Sequence, residues 1–294
     1  MPINCVLVID KPAGLTSHDV VNRVRRILGQ KSVGHLGTLD PSATGVLPIV
    51  TGSLTRLAQF YLQSEKSYEG VIHFGFATDT YDADGEATTL PQEITLDIEQ
   101  LRRAASEFRG HIQQVPPPYS AKKIAGVRAY KLARRKQEVT LQPVEVEIKE
   151  FNILGVDGSS CSFRARVASG TYMRSVAHDL GQKIGCGAHL KSLRRTAVAE
   201  FVIEEAHTLE DLQTTTEQGS ADALAIHPRK LLPQFPCVTA NDESAAMIRS
   251  GRAVNLPELS CERLVKVFCG QRDLIAIATR IAGTLFHPGI VFAS

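Results

Sequence analysis

The segment 34–45 places one carboxylic acid, Asp40, in a short loop together with one histidine, His35. No other acidic residue lies within 20 positions of Asp40 on either side. Glycines at three positions of the segment let the backbone bend or approach a ligand closely, and Pro41 biases Asp40 away from helical geometry. The loop therefore presents an isolated carboxylate, which can act as a nucleophile or serve only as a turn residue.

A second feature with chemical potential is a run of cations downstream. Between Tyr119 and Gln137 there are seven lysines or arginines and no acid. A block of one sign focuses an electric field even though the formal net charge of the 294-residue chain is only +2. With Tyr119 and Tyr130 available to stack on bases, the segment fits contact with an RNA backbone, or else a solvated helix face.

Metal chemistry is not expected. The six cysteines are scattered and none has the C-x-x-C spacing of a zinc site. The acids Asp79, Asp82 and Asp84 precede Gly85, but a calcium loop in that register would begin at a threonine and end at a proline. Neither residue supplies the required carboxylate, which excludes an EF-hand.

Composition gives a general class. A hydrophobic fraction of 43% and a charged fraction of 22% are typical of a globular protein with a substantial core. The first residues lack the basic region of a signal peptide, and no apolar run approaches the roughly 18 residues of a membrane span. We therefore expect a cytoplasmic protein that contacts no membrane.

Hydrophobic spacing predicts the elements that hold the Asp40 loop. An apolar run at 5–9 indicates a strand, and the next helix begins after an N-cap at Ser17 and stops at Gly29. Strands and helices in irregular order indicate an α+β fold rather than a doubly wound parallel sheet. Further strands are expected at 46–50, 68–76, 144–154 and 161–167, and further helices from 53, at 96–108 and at 171–184.

A proline-containing stretch at 231–236 indicates a domain boundary. It divides the chain into residues 1–233 and residues 236–294. The second part combines one short helix with strands near 264–268, 274–281 and 289–292, and so forms a small β-rich unit.

Residues 34–45 read G-H-L-G-T-L-D-P-S-A-T-G and closely resemble the signature of the TruB family of pseudouridine synthases. The resemblance extends over nearly the whole chain, in ordered blocks at 10–14, 16–17, 78–85, 116–121, 170–175 and 193–195. Two positions depart from the family pattern. Lys122 stands where the family has an apolar residue, and Arg56 stands where the family commonly has lysine, a cation that binds phosphate differently.

The resemblance implies a fold and a reaction. The fold is the pseudouridine synthase fold, a mixed and largely antiparallel central sheet with flanking helices, followed by a PUA-like domain that adds RNA contacts. The reaction isomerises a uridine in the T-arm loop of tRNA, at position 55, on a nucleotide flipped out of its stem-loop. It needs no cofactor, and we expect a monomer that acts without guide RNA or an obligate protein partner.

The resemblance also assigns roles to residues. Asp40 is the nucleophile, and whether it attacks the sugar carbon or the base stays open. Arg174 is the cation that keeps the carboxylate ionised, and Tyr68 stacks on the target base. The other implied substrate-binding residues are His35, Asp82, Tyr172, Leu193, Arg56 and Lys123.

Three alternatives remain beside this interpretation. An RNA-binding or RNA-folding protein would use the same basic segment and C-terminal unit. The guide-RNA-dependent dyskerin group shares the Asp40 loop, although the connection at 116–130 and the small C-terminal unit favour a stand-alone enzyme. A retaining glycosidase would need a second carboxylate about 5 Å from Asp40, and no acid flanks Asp40 in the sequence.

Overall fold

A mixed central sheet and a second, smaller sheet organise the chain. The computed structural model describes residues 3–120, 122–124, 127–128 and 141–292. Within these residues the central sheet has the strand order β1-β3-β10-β4-β9-β8-β5, with β2 paired to β3 and β11 paired to β10. Its strands are β1 (Val6–Lys11), β2 (Val33–His35), β3 (Thr44–Thr51), β4 (Lys66–Phe74), β5 (Gly110–Gln114), β8 (Val144–Asp157), β9 (Ser160–Val167), β10 (Ala188–Val198) and β11 (Phe201–Val202), and a separate pair is β6 (Lys123–Ile124) and β7 (Val127–Arg128).

The pairing in the central sheet is antiparallel except where β10 runs parallel to β3. That parallel contact joins Arg194 to Thr44 and Arg195 to Gly45. It brings the end of the Asp40 loop against a strand about 150 positions later in the chain. The prediction of an α+β fold with a mixed, largely antiparallel sheet is confirmed.

The helices lie mostly where hydrophobic spacing predicts them. They are α1 (Ser17–Ile27), a 3-10 helix (Gly52–Tyr61), α2 (Ile98–Ser106), α3 (Met173–Ile184), α4 (Leu209–Glu217) and α5 (Asp242–Arg249). Three shorter 3-10 helices lie at Ile203–Glu205, Ala221–Leu224 and Pro228–Lys230. The expected N-cap at Ser17 is wrong, because Thr16 caps α1 in a reciprocal capping box with Asp19. Ser17 instead turns inward and bonds the Asp40 loop. In the described part of the chain, no helix combines the length and apolar character that crossing a membrane requires.

The second sheet begins at Cys237 and has the order β12-β14-β15-β16-β13. Its strands are β12 (Cys237–Ala240), β13 (Val254–Asn255), β14 (Leu264–Cys269), β15 (Asp273–Ala282) and β16 (Leu285–Val291). This is the β-rich unit expected after residue 236. The division of the chain into 1–233 and 236–294 stays a prediction.

Apolar clusters fix these elements in place. One cluster packs α2 and α3 against one face of the central sheet, around Phe151 and Phe163. Another packs α1 and α4 against β1 and β3. A third contains side chains from both sheets, among them Val6, Phe201 and Phe268. Buried apolar area of this extent is the main stabilising term in a folded chain, and here it fixes the strand ends that carry the Asp40 loop.

Candidate active site

The Asp40 loop connects β2 to β3 and is held by the side chain of Ser17. The Ser17 hydroxyl donates to the carbonyl of Leu39 at 3.1 Å and accepts the Leu39 N–H at 2.8 Å. Leu36 and Leu39 are both buried, so apolar contacts also fix the side of the loop that faces the protein interior. These contacts fix the backbone of the loop, so Asp40, which follows Leu39, projects toward the surface in one orientation.

Arg195 fixes the same loop from the neighbouring strand. Its guanidinium is fully buried and donates to the carbonyls of Thr38 and Gly37 at 3.0 Å and of Val46 at 2.8 Å. It also bonds the Tyr68 hydroxyl, and burial lowers the pKa of Arg195. Carbonyl oxygens from both ends of the loop thus replace the water that a buried guanidinium has lost.

Lys11 has a parallel role on the other side of Asp40. Its buried ammonium donates to the carbonyls of Pro12, Leu15 and Pro41 at 2.7–3.0 Å. Burial lowers the pKa of Lys11 to about 8, while attraction to Asp40 acts in the opposite direction. The loop therefore lies between two buried cations, and neither of them forms an ion pair with its carboxylate.

Arg174 supplies the charge partner of Asp40. Its Nε lies 2.9 Å from Asp40 Oδ2, although this N–H has no hydrogen-bond geometry to any acceptor. Its Nη1 lies 3.4 Å from Asp82 Oδ2 and donates to the Thr80 carbonyl at 3.2 Å, and Nη2 donates to the Tyr119 carbonyl at 3.0 Å. The Arg174 side chain is 7% exposed and that of Asp40 is 41% exposed, so the acid is paired and still open to a ligand.

Asp82 completes this charge arrangement. It is buried, and burial raises the pKa of its carboxyl, while hydrogen bonds from Thr80 and attraction to Arg174 oppose the rise. The Thr80 hydroxyl donates to Asp82 Oδ1 at 2.5 Å. Two acids therefore flank a cation in the first turn of α3, where the helix dipole alone would disfavour a positive charge.

A small cavity of about 60 Å³ opens beside Asp40. Asp82, Arg174 and Leu193 line it together with Asp40, so the structure brings these four predicted site residues to one place. Space for roughly two waters does not hold a nucleoside, so a ligand of that size has to widen the cavity. A larger cavity of about 400 Å³ adjoins it and shares Ser42, Ser192 and Leu193.

The two predicted tyrosines lie within electrostatic range of Asp40 but do not line the small cavity. Tyr68 is buried opposite Arg195 on β4, and Tyr172 precedes α3 with its backbone held by Gln114. Burial is the largest cause of a raised pKa in both, and the Asp40 charge adds to it. Both hydroxyls are therefore neutral at physiological pH.

The remaining predicted residues lie in other environments. His35 is half-buried, and its Nδ1 accepts the N–H of Gly37 at 3.2 Å, which makes it part of the turn. Arg56 is exposed on the 3-10 helix and donates to the carbonyl of Val291 at 2.8 Å, so its guanidinium is held by the second sheet. The Lys123 side chain lies outside the described residues, as does most of the basic segment up to Gln137.

Sequence reasoning missed Lys11 and Arg195 as residues of this site. Lys11 lies in the motif block at 10–14 and Arg195 in the block at 193–195, so the sequence did mark both positions. A cation is ordinarily expected at the surface, however, and both residues donate to carbonyls of the Asp40 loop, which is far from each of them in sequence. In the described part of the chain, no group of three or more histidines, cysteines or acids has the arrangement of a metal site.

Comparison with known families accounts for most of the chain. Residues 25–173 match the model of the TruB family pseudouridylate synthase N-terminal domain, and residues 174–232 match that of the tRNA pseudouridylate synthase B C-terminal domain. The tRNA pseudouridine synthase B of Solibacter usitatus is 49% identical over 289 residues, covering 97% of this chain and 99% of that protein. That of Dehalococcoides mccartyi is 37% identical over 292 residues, covering 99% and 97%.

Solved structures agree on the fold. An H/ACA RNP bound to a substrate RNA containing 2'-deoxyuridine includes a chain with a TM-score of 0.72 and 26% identity, covering 99% of this chain and 85% of that one. A chain of a Cbf5-Nop10-Gar1 complex gives a TM-score of 0.70 at 26% identity, with 98% and 83% covered. The similarity therefore spans both sheets.

Proposed function

This chain belongs to the TruB family of pseudouridylate synthases, and we propose that it isomerises the uridine at position 55, in the T-arm loop of tRNA, to pseudouridine. Asp40 is the nucleophile, and no cofactor takes part. The relatives that match nearly the full length are named tRNA pseudouridine synthase B, which supports tRNA as the substrate. An enzyme of this kind works where tRNA matures, in the cytoplasm.

The observation that carries the proposal is the contact between Asp40 and Arg174. A nucleophilic carboxylate has to be ionised, oriented and reachable. The guanidinium at 2.9 Å supplies an opposite charge that orients the carboxylate, and the exposed side of Asp40 faces the cavity. A carboxylate that served only as a turn residue would not require a buried cation on an element 134 positions later in the chain.

The chemistry requires that one bond to the base is broken and another is made. Asp40 adds either to C1′ of the ribose or to C6 of the uracil, and the N-glycosidic bond breaks. The base turns, its C5 bonds to C1′, and Asp40 is released. The hydrogen on C5 leaves as a proton and N1 gains one, so product and substrate have the same atoms. Loss of the C5 hydrogen to water makes each turnover measurable.

The other residues support this step by holding the target nucleotide. We infer that the uridine leaves its stack and enters the small cavity alone, and that the cavity widens locally to admit it. Tyr68 stacks on the extruded base, and Leu193, which lines both cavities, contacts its other side. Asp82 pairs with Arg174 and lines the cavity, and His35 holds the turn before Asp40. Tyr172, which precedes Arg174 by two residues, contributes to substrate binding.

The contact surface for the rest of the tRNA comprises two further parts. Residues 1–233 form the catalytic unit, and residues 236–294 form a PUA-like unit that contacts the RNA backbone. Lys123, in the basic segment, and Arg56, next to the second sheet, contribute positive charge to phosphates. Sequence-independent contacts of this kind position the T-arm so that one uridine reaches Asp40.

The experiment that tests this function is tritium release. Unmodified tRNA transcript carrying tritium at C5 of its uridines is incubated with the protein alone. We expect one tritium released per tRNA, and none when the transcript carries cytidine at position 55. Release that persists with the cytidine transcript would show another target, and no release from any tRNA by folded protein would contradict the function.

One structural similarity favours a second candidate, the guide-dependent synthases. One solved neighbour comes from an H/ACA RNP and another from a Cbf5-Nop10-Gar1 complex, and each covers nearly all of this chain. The same assay separates the two possibilities. Full turnover without guide RNA or added protein supports the stand-alone enzyme, and turnover only after guide RNA is added supports the alternative.

A further inference from the structure

Tyr81 adopts a backbone conformation that a tyrosine rarely takes. Its φ is +64°, in the left-handed region, where the backbone of a bulky residue such as tyrosine is strained. The residue sits in the turn between Thr78 and Asp82, whose ends are joined by a hydrogen bond from the Thr78 hydroxyl to the Asp82 carbonyl at 2.7 Å. Strain of this kind persists only where surrounding contacts hold it.

Those contacts come from the helix that carries Arg174. The Tyr81 ring stacks on the His178 ring, with centroids 3.9 Å apart and planes inclined by 15°. The Tyr81 carbonyl accepts the N–H of Leu190 at 3.0 Å, which ties the turn to β10. An aromatic stack on one side and a strand on the other therefore fix the strained residue.

His178 lies four residues after Arg174 on α3, so the two side chains project from the same helix face. That face contacts three consecutive residues of the turn. Arg174 bonds the Thr80 carbonyl, His178 stacks on the Tyr81 ring, and Arg174 pairs with the Asp82 carboxylate. The left-handed turn at Tyr81 lets the residues on both its sides reach the same guanidinium.

The His178 ring contacts the turn through its face, and at least one of its nitrogens plays no part in that contact. Its Nδ1 is buried and has no hydrogen-bond partner among the described residues. Burial also lowers its pKa, which keeps the ring neutral. A buried ring nitrogen without a partner is costly, and the observed use of this position is the stack on Tyr81.

We propose that Tyr81 and His178 form a positioning pair, which holds Arg174 in the orientation that places its Nε against Asp40. The proposal rests on the function proposed above for the Asp40–Arg174 contact. Neither residue touches the reacting atoms. Their stack locks the turn onto α3, and the turn supplies two of the acceptors that orient the guanidinium.

The kinetic test compares loss of the ring with its replacement. We expect Tyr81→Ala and His178→Ala each to lower kcat about tenfold with KM within twofold, because small misplacement of a catalytic group costs rate. Tyr81→Phe and His178→Phe keep the stack and should retain wild-type kcat. His73→Ala is the matched control, since His73 also contacts aromatic rings, those of Phe76 and His189, and lies outside the site.

A second readout needs no substrate. The ¹H–¹⁵N resonance of Arg174 Nε, assigned with Arg174→Lys, should be shifted or broadened in the two alanine variants and unchanged in the two phenylalanine variants. An unchanged resonance in both alanine variants would overturn the positioning role, whether or not the protein modifies tRNA. A wild type without turnover would instead count against the proposed function. Equal losses of kcat in His73→Ala, or no rescue by phenylalanine, would also overturn the pair.

Discussion

At the scale of single residues, the cations of the site have two different roles. Arg174 meets carboxylates, Asp40 and Asp82, and so sets the electrostatics of the reacting acid. Arg195 and Lys11 meet backbone carbonyls and so set the shape of the loop. Replacing Arg174 should therefore lower the reaction rate, whereas replacing Arg195 or Lys11 should lower the stability of the fold.

Arg195 provides the stability prediction. In Arg195→Gln the carbonyls of Gly37, Thr38 and Val46 lose their donor while still buried, and unsatisfied groups cost roughly 1–3 kcal/mol each. We expect the free energy of unfolding, measured by urea denaturation, to fall by about 3 kcal/mol or more.

The neighbouring residue is the control for Arg195. Arg194 pairs with Asp10 at 2.7 Å, but its side chain is 42% exposed. Arg194→Gln should change the free energy of unfolding by less than about 1 kcal/mol, as is usual for exposed pairs. Equal effects in the two variants would contradict the assigned role of Arg195.

Asp179 gives a pH dependence. Burial raises the pKa of its carboxyl from 3.8 to about 6. Between these values the folded state binds more protons than the unfolded state, so this group stabilises the fold at low pH and the contribution is lost as the pH rises to about 6. Asp179→Asn should therefore gain stability relative to wild type across this window. Urea midpoints at pH 4.5 and 7 measure it, and a constant difference between the two proteins would contradict it.

How far the sequence predicts the site depends on where each contact originates. Asp40 and Arg174 are named by the motifs that contain them, and the cavity brings both together with Asp82 and Leu193. The roles of Arg195 and Lys11 depend on the carbonyls of Gly37 and Pro41 in the Asp40 loop, which is remote in sequence from both cations. Hydropathy assigns such cations to the surface, so the pattern of a single chain could not reveal them.

At the scale of elements, the parallel contact between β3 and β10 positions the Asp40 loop. Gly45 has a φ of +101° and lies directly against the Arg195 backbone. A Cβ added there would lie 2.2 Å from the Arg195 carbonyl oxygen, closer than any real contact. Strand pairing at this point therefore requires glycine.

Gly45→Ala should lower the free energy of unfolding by about 3 kcal/mol or more, since both strain and a backbone clash act together. Gly158→Ala is the control, because Gly158 also has a positive φ, +54°, and nothing lies within 4 Å of its added Cβ. That variant should lose only about 1 kcal/mol. Thermal and urea unfolding of the two variants measure these losses. Similar losses in both would show that backbone strain, and not the clash with Arg195, accounts for the lower free energy of unfolding.

Most elements were predictable because their signals are local. Apolar spacing predicts α3 and the β8–β9 hairpin to within a few residues, and Gly185 ends α3 in the left-handed conformation that glycine favours. The sheet order was not predictable, because the β3–β10 pairing joins segments that are remote in sequence. The wrong cap at Ser17 has the same origin, since its hydroxyl is taken by Leu39, 22 positions later.

At the scale of the whole molecule, one apolar cluster joins the two sheets. It contains Val6 and Phe201 from the central sheet and Phe268 and Phe292 from the second part of the chain. The Tyr61 hydroxyl, Glu200 and the N–H of Leu232 also meet beside it, next to the predicted boundary. A shared core of this kind couples the unfolding of both parts.

We therefore expect cooperative unfolding. Phe268→Ala should lower the free energy of unfolding by about 3–5 kcal/mol and should reduce hydrogen-exchange protection in β1 and β14 alike. Hydrogen exchange with mass spectrometry measures both strands in one experiment. Loss of protection in β14 with β1 unchanged would show that residues 236–294 unfold independently.

The chemistry of Asp40 remains the central claim, and Asp40→Asn tests it most directly. The amide keeps the size of the side chain and removes its charge and nucleophilicity, so tritium release from tRNA should fall about a thousandfold or more. Binding of the same tRNA should stay within a few fold of wild type, and Asp157→Asn, an exposed acid at the end of β8, should keep full turnover. Turnover by Asp40→Asn within tenfold of wild type would contradict the account.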